Sequence, residues 1–255
     1  MIGIEAYRLV GDPAALERAG LFVAEGRLIV ERLLLDLRFR VHSVAVTPPA
    51  AAALASVFAQ RPDVAVHLCD PRELEALTGF DFHRGCLALA WRQPPAITLD
   101  SLAGARRVLA LESVGNPDNV GGLFRTAFAL GIDAVLIDRR TADPLYRKAI
   151  RTSMGATLRL PFLRLEAWAD DLQTLRSRGF RVLALTPHPD AVPLPAVKVT
   201  DDDPLVIVVG SEGYGLTDGA LAQSDLAVRI PIDPRADSLN VVVAAGIALS
   251  RLSVR

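Results

Sequence analysis

The sequence predicts an α/β protein with two domains, in which a smaller α/β domain precedes a domain built on a mostly parallel sheet. Helix-like segments alternate with short apolar strands along the whole chain of 255 residues, as in layered α/β folds. In the second half, strands such as 205–209 (LVIVV) are continuous apolar runs. Continuous runs are typical of parallel strands that are buried on both faces.

The domain boundary is predicted from the stretch 93–104, which reads QPPAITLDSLAG. Two prolines followed by small and polar residues interrupt the structured segments there. We therefore expect a first domain over residues 1–93, a linker over 94–104 and a second domain over 105–255. The chain length agrees with this division, because a domain takes about 150 residues as a soft prior.

In the first half, helical spacing of apolar residues and short apolar runs predict the elements. Leu28, Leu33 and Leu37 recur at helical spacing, so one helix is expected from Pro13 to about Leu37. The other expected elements are helices over 50–60 and 71–77 and strands over 41–46, 64–69 and 86–91.

The second half alternates in the same way. The expected strands are 107–111, 134–137, 182–185, 205–209 and 228–232, and the expected helices are 120–130, 144–153, 166–178 and 238–252. Ligands of parallel sheets bind beyond the carboxyl ends of the strands. We therefore expect a functional site in the loops that follow these strands.

Composition and charge exclude several classes of protein. The chain is 51% hydrophobic and 22% charged with a net charge of −1, which excludes a disordered chain and an overall cationic nucleic-acid binder. The mean hydropathy is +0.32, but the charge-free apolar run 239–250 has only 12 residues. A membrane span needs about 20. Glu5, Arg8 and Asp12 stand where a signal peptide would be apolar, so we expect a cytoplasmic protein.

Neither the cysteines nor the histidines indicate a metal site. Cys69 and Cys86 lie in apolar, strand-like runs and form no CxxC motif, so they are interpreted as buried free thiols. The four histidines are scattered without the spacing of metal ligands. We expect no metal cofactor.

The loop after 205–209 reads GSEGYGL over residues 210–216. Its glycines would allow a ligand to approach the backbone closely, but a tight turn explains them equally well. The known glycine-rich motifs do not match. A P-loop would need a lysine, a Rossmann motif would need glycine in place of Asp218, and a nucleophile elbow would need glycine in place of Val209.

Two further loops carry polar residues beside predicted helices. Asn119 can cap the helix that follows strand 107–111, and Arg125 lies six residues into that helix among apolar neighbours. Arg125 is either a surface arginine with a buried stem or a cation directed at an anion or a developing alkoxide. Near the end of the chain, Ser238 is expected to cap the last helix, and Asn240 could offer its amide to a ligand from the first turn.

Taken together and in this order, three segments are specific. They are NVGGLFRTAFALG (119–131), VIVVGSEGYGL (206–216) and IPI followed by SLNVVVAAGIAL (230–249). They resemble the three motifs of the SpoU/TrmH branch of the SPOUT RNA methyltransferases, over about residues 105–255. RTSMGATLRLPF (151–162) resembles the stretch between the first two motifs. FVAEGRLIVERLL and RGCLALAW in the first half resemble the family's substrate-binding domain, which is similar to ribosomal protein L30e.

The resemblance implies a parallel sheet whose C-terminal part forms a deep trefoil knot, with S-adenosylmethionine bound against the knot. It also implies a homodimer, in which Arg125 reaches toward the cofactor of the partner. The cofactor-binding positions it implies are Gly210, Glu212, Gly213, Ile230, Ile232, Leu239 and Asn240. The catalytic positions it implies are Asn119, Arg125, Glu212, Ser238 and Asn240.

The activity implied is methylation of a ribose 2′-hydroxyl in structured RNA. Arg125 is better suited to stabilise an alkoxide than to accept a proton, because a guanidinium stays protonated in proteins. The first domain favours ribosomal RNA, since the family's minimal tRNA enzymes lack it. A tRNA 2′-O-methyltransferase, a non-catalytic RNA-binding protein that retains the knot and a different nucleotide-binding α/β enzyme are the alternatives.

RNA contacts are expected from basic residues. Seven of them lie between residues 139 and 164, which contain Asp143 as the one acid. Such a cluster is a candidate for phosphate binding, although a solvated charged surface also explains it. The residues expected to bind RNA are Arg27, Arg32, Arg84, Arg147, Lys148 and Arg151.

Overall fold

The computed structural model describes residues 3–79, 85–92, 97–200, 202–211 and 213–252. The described strands are β1 (Leu21–Glu25), β2 (Val41–Val46), β3 (Ala65–Leu68), β4 (Cys86–Trp91), β5 (Arg107–Leu111), β6 (Ala134–Ile137), β7 (Phe162–Arg164), β8 (Arg181–Leu185), β9 (Val192–Pro193), β10 (Leu205–Val209) and β11 (Leu226–Arg229). The described helices are α1 (Pro13–Arg18), α2 (Arg27–Leu35), α3 (Pro48–Ala53), α4 (Ala55–Gln60), α5 (Pro71–Thr78), α6 (Pro117–Ala129), α7 (Arg147–Thr152), α8 (Trp168–Ser177), α9 (Asp218–Ala222) and α10 (Val241–Leu252).

The chain divides into two compact units. The first comprises residues 1–95 and 145–158, and the second comprises residues 96–144 and 159–255. The division after residue 95 falls inside the predicted linker. The segment 145–158 differs from the prediction, because it was expected in the second domain and clusters with the first unit.

The described part of the first unit is built on a four-stranded mixed sheet in the order β1-β4-β2-β3. β4 runs antiparallel to β1 and to β2, and β3 runs parallel to β2. The apolar core on this sheet includes Val23 of β1 and Leu89 of β4, which are partners in the strand register. Tyr7 is buried in the same core, and its hydroxyl lies 3.2 Å from Ser43 Oγ. The phenol is therefore buried with a polar partner for its hydroxyl.

The single helix predicted over 13–37 is wrong. α1 ends at Arg18, and α2 begins only at Arg27. Between them all five residues of β1 are buried, and the strand pairs with β4 along its whole length. A helix would have exposed one face of this segment, so burial on every side favours the strand. The predicted helix 50–60 is also divided, into α3 and α4, at Leu54.

The described part of the second unit is built on a seven-stranded sheet in the order β7-β6-β5-β10-β8-β11-β9. Every pairing of these strands is parallel, which confirms the predicted parallel sheet. The buried residues Val108, Leu136, Val182 and Val206 form a core with α8 on one face of the sheet. The continuous apolar strands thus have the burial that their sequence predicts.

Several boundaries in the second unit differ from the prediction. The closing helix begins at Val241 instead of Ser238, and the helix expected from residue 144 begins at Arg147. The strand expected over 228–232 is β11, which ends at Arg229. β7 and β9 were not predicted, because they have only three and two residues and no apolar run marks them. None of the described helices combines the length and apolar character that crossing a membrane requires.

Candidate functional site

The candidate site lies where β5 and β10 end, side by side, at the carboxyl edge of the parallel sheet. Val209 of β10 is in register with Leu111 of β5, and the Glu112 N–H donates to the Val209 carbonyl at 2.9 Å. The loops that follow these strands therefore leave the sheet next to each other. This is the edge at which the topology of parallel sheets places ligands.

The glycine-rich loop after β10 folds back on itself. The Gly215 N–H donates to the Ser211 carbonyl at 3.0 Å, and the Tyr214 N–H donates to Ser211 Oγ at 3.2 Å. A Cβ atom at Gly210 would collide with the Gly215 carbonyl group and lie 2.8 Å from the Leu216 nitrogen. Only glycine fits at 210, because the obstacles are backbone atoms. The tight-turn interpretation is confirmed here, and a role in binding cofactor stays a prediction.

Glu112, which none of the sequence motifs indicated, ties this loop to the sheet. Its side chain is buried at 3% exposure. Oε2 accepts a hydrogen bond from the Thr217 N–H at 3.0 Å, and Oε1 accepts one from the Thr217 hydroxyl at 2.7 Å. Thr217 in turn caps α9 through the Ala220 N–H. The signal in the sequence was an acid directly after the buried strand 107–111.

Asn119 and Asn240 meet across two helices. Asn119 lies in the first turn of α6 at 9% exposure, and its Oδ1 accepts a hydrogen bond from Asn240 Nδ2 at 3.3 Å. The helices approach closely at Gly122, where a Cβ atom would lie 2.8 Å from a methyl group of Val242. The structure thus brings together two predicted site residues that are 121 positions apart in the chain.

The predicted helix caps need correction. α6 is capped by Asn116, whose Oδ1 accepts from the Asp118 N–H at 2.9 Å, and Asn119 lies inside the helix. α10 begins directly after Asn240, whose Oδ1 accepts from the Val242 N–H at 3.0 Å, so Ser238 is not the cap. Asn240 therefore uses its amide oxygen to start a helix and its amide nitrogen to bind Asn119.

Arg125 is exposed on α6. Among the residues that the structure describes, it has no hydrogen-bond or ion-pair partner. Two aromatic residues lie near Arg125 on α6, and both have partners within the chain. Phe124 is buried against Phe162, and the guanidinium of Arg159 lies 4.3 Å from the centre of the Phe128 ring. The guanidinium of Arg125 is thus available to a group from outside the chain.

The remaining predicted cofactor positions lie in the segment between β11 and α10. Ile230, Ile232 and Leu239 are half-buried, whereas Ser238 is exposed. Gly213 is exposed in the glycine-rich loop. Partly exposed apolar side chains of this kind can contact the flat ring of a ligand. Glu212, the other predicted position, lies outside the described residues.

Several of the predicted RNA-binding residues serve the first unit itself. Arg147 and Arg151 approach Oε2 of the buried Glu25 at 3.4 and 3.6 Å. Arg32 donates to the Met154 carbonyl at 2.7 Å. Part of their charge is therefore engaged within the unit.

The other predicted RNA-binding residues are Arg27, Lys148 and Arg84. Arg27 is exposed and lines an open cavity of about 450 Å³ in the first unit. Lys148 is half-buried on α7. Arg84 lies outside the described residues.

The cysteines are buried and free, as predicted. Burial raises the pKa of the Cys86 thiol to about 12, so this group stays protonated at neutral pH and is a poor nucleophile. Over the described ranges, no group of three or more histidine, cysteine, aspartate or glutamate residues is arranged to hold a metal ion.

Comparison with known proteins gives consistent matches. The profile of the SpoU rRNA Methylase family matches residues 106–250. An uncharacterized tRNA/rRNA methyltransferase of Mycobacterium tuberculosis is 41% identical over 229 residues, which are 89% of this chain and 79% of that protein. The 23S rRNA (guanosine(2553)-2'-O)-methyltransferase RlmP of Bacillus subtilis is 34% identical over 155 residues, 60% of each chain.

The fold also matches solved structures. The AdoMet-bound rRNA methyltransferase from Sinorhizobium meliloti superimposes with a TM-score of 0.82 at 24% identity, over 97% of this chain and 92% of that one. The likeness therefore extends over both units of the chain.

Proposed function

The chain belongs to the SpoU rRNA methylase family, and on that premise we propose that it transfers the methyl group of S-adenosylmethionine to a ribose 2′-hydroxyl of ribosomal RNA in the cytoplasm. The observation that carries the proposal is the hydrogen bond between Asn119 and Asn240, with the exposed Arg125 on the same helix as Asn119. The 2′-O-methyltransferase of Bacillus subtilis supports the proposed position of the methyl group.

S-adenosylmethionine is proposed as the cofactor because the fold is shared with an AdoMet-bound structure and because the residues present fit it. The backbone at Gly213 is open, since a Cβ atom there would meet no atom within 4 Å, so no side chain of that residue stands between the loop and a bound ring. We propose that the cofactor is held by Gly210, Glu212, Gly213, Ile230, Ile232, Leu239 and Asn240. When bound, the cofactor supplies an electrophilic methyl group on a sulfonium.

The residues of the chain would align the ribose and stabilise charge. Arg125 would bind the adjacent phosphate and stabilise the negative charge that develops on the 2′-oxygen as it takes the methyl group. The proton of the hydroxyl would pass to solvent water, and the sulfonium would leave as a neutral thioether. Asn240 and Ser238 would orient the ribose, and Asn119 would fix the amide of Asn240 through the observed hydrogen bond. Glu212 would bind loop amides or an arginine.

A homodimer is part of the proposal, with Arg125 directed at the cofactor of the partner. Val243 and Ile247 support it, since they lie one turn apart on α10 and are 50% and 42% exposed. An apolar pair of this kind is a typical component of a contact surface. The C-terminal part of the sheet is proposed to form the trefoil knot, and the L30e-like first domain is proposed to select the RNA.

The proposal is tested by incubating the purified chain with unmodified 23S ribosomal RNA, transfer RNA and tritiated S-adenosylmethionine, followed by mapping of 2′-O-methyl groups. Label on a ribose 2′-oxygen of 23S RNA is the expected result. Label on transfer RNA alone would assign the tRNA alternative. RNA binding without label on either RNA would assign the non-catalytic alternative and refute the proposal.

A further inference from the structure

One aromatic side chain of the glycine-rich loop is almost fully in solvent. Tyr214 is 98% exposed, although an aromatic ring normally buries a large apolar area. It lies four residues after Gly210, in the loop that leaves β10 beside Glu112. Of the residues that the structure describes, none buries this ring, which is open to a group from outside the chain.

The backbone beneath this ring is held in place. The Tyr214 N–H is bonded to Ser211 Oγ, and the following residue is bonded to the Ser211 carbonyl. Downstream, the loop is tied to the sheet by Glu112 through Thr217. A ring on a fixed backbone has little conformational entropy to lose on binding, so it is suited to recognition.

Both neighbours of Tyr214 leave its surroundings open. They are Gly213 and Gly215, and a Cβ atom at either position would meet no atom within 4 Å. Neighbouring side chains therefore do not cover the ring. An exposed aromatic ring with open faces is the type of group on which unpaired RNA bases stack.

We propose that Tyr214 is a stacking platform for an unpaired nucleobase of the RNA substrate and that this contact positions the nucleotide for methyl transfer. The proposal rests on the function proposed above. Gly213, next to Tyr214, is proposed to hold the cofactor through its backbone, so the Kd for S-adenosylmethionine in variants of Tyr214 distinguishes a nucleobase from the cofactor as the partner of the ring.

The test compares Tyr214→Phe, Tyr214→Leu and Tyr214→Ala in the full-length protein. The measurements are KM for unmodified 23S RNA, Kd for the same RNA by filter binding and Kd for S-adenosylmethionine by calorimetry. Stacking of one base corresponds to about 5-fold to 150-fold in affinity. The leucine and alanine variants should weaken both RNA constants by such a factor, while the phenylalanine variant stays within about twofold.

Kd for S-adenosylmethionine should be unchanged in all three variants. Gln173→Ala removes an exposed, uncharged side chain on α8 of the second unit, outside the proposed site, and it is the control that should leave every constant unchanged. Unchanged RNA affinity in Tyr214→Ala, equal losses in the phenylalanine and alanine variants, or weakened cofactor binding would each overturn the proposal. If the wild type binds the RNA without methylating it, the proposed function fails, and the Kd ratios still decide the role of Tyr214.

Discussion

Replacing Glu112 with alanine should detach the glycine-rich loop from the sheet. The change removes two hydrogen bonds from Thr217 to a buried carboxylate. Hydrogen bonds to charged groups contribute about 1.5–3 kcal/mol each. Thr217 is exposed, so water replaces part of this loss, and we expect a net local cost of about 2 kcal/mol.

That cost sets the expected effect on cofactor binding. About 2 kcal/mol corresponds to a shift of roughly 30-fold in the equilibrium between the ordered and the open loop. If only the ordered loop binds S-adenosylmethionine, the Kd rises by up to this factor. Isothermal titration calorimetry measures the Kd, and hydrogen exchange over residues 210–217 reports the opening of the loop.

A matched control separates this effect from general destabilisation. Asp133 also accepts two hydrogen bonds, from the N–H groups of Arg106 and Arg107, but it precedes β6 at the amino edge of the sheet. Asp133→Ala should lower the melting temperature and leave the Kd unchanged. Thr217→Ser keeps both donors to Glu112 and should bind normally. An unchanged Kd in Glu112→Ala would refute the reasoning.

Four further results are expected. Arg125→Ala should bind S-adenosylmethionine normally but transfer methyl groups about 10²–10³-fold more slowly, with little recovery in Arg125→Lys; full activity in either would remove Arg125 from the mechanism. Gly210→Ala should displace the loop and abolish cofactor binding, as calorimetry would show. Val243→Lys should shift the proposed dimer toward monomer in light scattering. Cys86 should resist maleimide at pH 8, because its raised pKa keeps the thiol protonated; rapid labelling of the folded protein would contradict its burial.

The sequence predicted the second unit better than the first. The run LVIVV over 205–209 is short, rich in β-branched residues and bounded by Pro204 and Gly210, and these features together favour a strand buried on both faces. Residues 21–25 are buried in the same way, but they lie between two helical segments. The helical spacing of apolar residues in the neighbouring segment made the whole stretch resemble one helix. Residues 21–25 form a strand because they pair with β4, which is distant in the chain. The local spacing of apolar residues gives no sign of this pairing.

In the candidate site, residue types were predictable and contacts were not. Asn119 and Asn240 were recognised from motifs, yet their hydrogen bond and the capping role of Asn240 depend on how α6 packs against α10. Glu112 was missed because an acid after a strand is common in loops. Its importance comes from Thr217, which is 105 positions further along the chain.

The first unit is formed by two separate stretches of the chain, and this affects both the folding of the chain during synthesis and the fragments that can fold alone. α7 belongs to that unit, and Arg147 and Arg151 neutralise Glu25, which is buried in β1. A fragment that stops at residue 95 would lose those two cations and the helix α7 that packs against β1. During synthesis, the amino-terminal unit therefore cannot complete its packing until residue 158 has left the ribosome, by which time the first strands of the second sheet have already emerged.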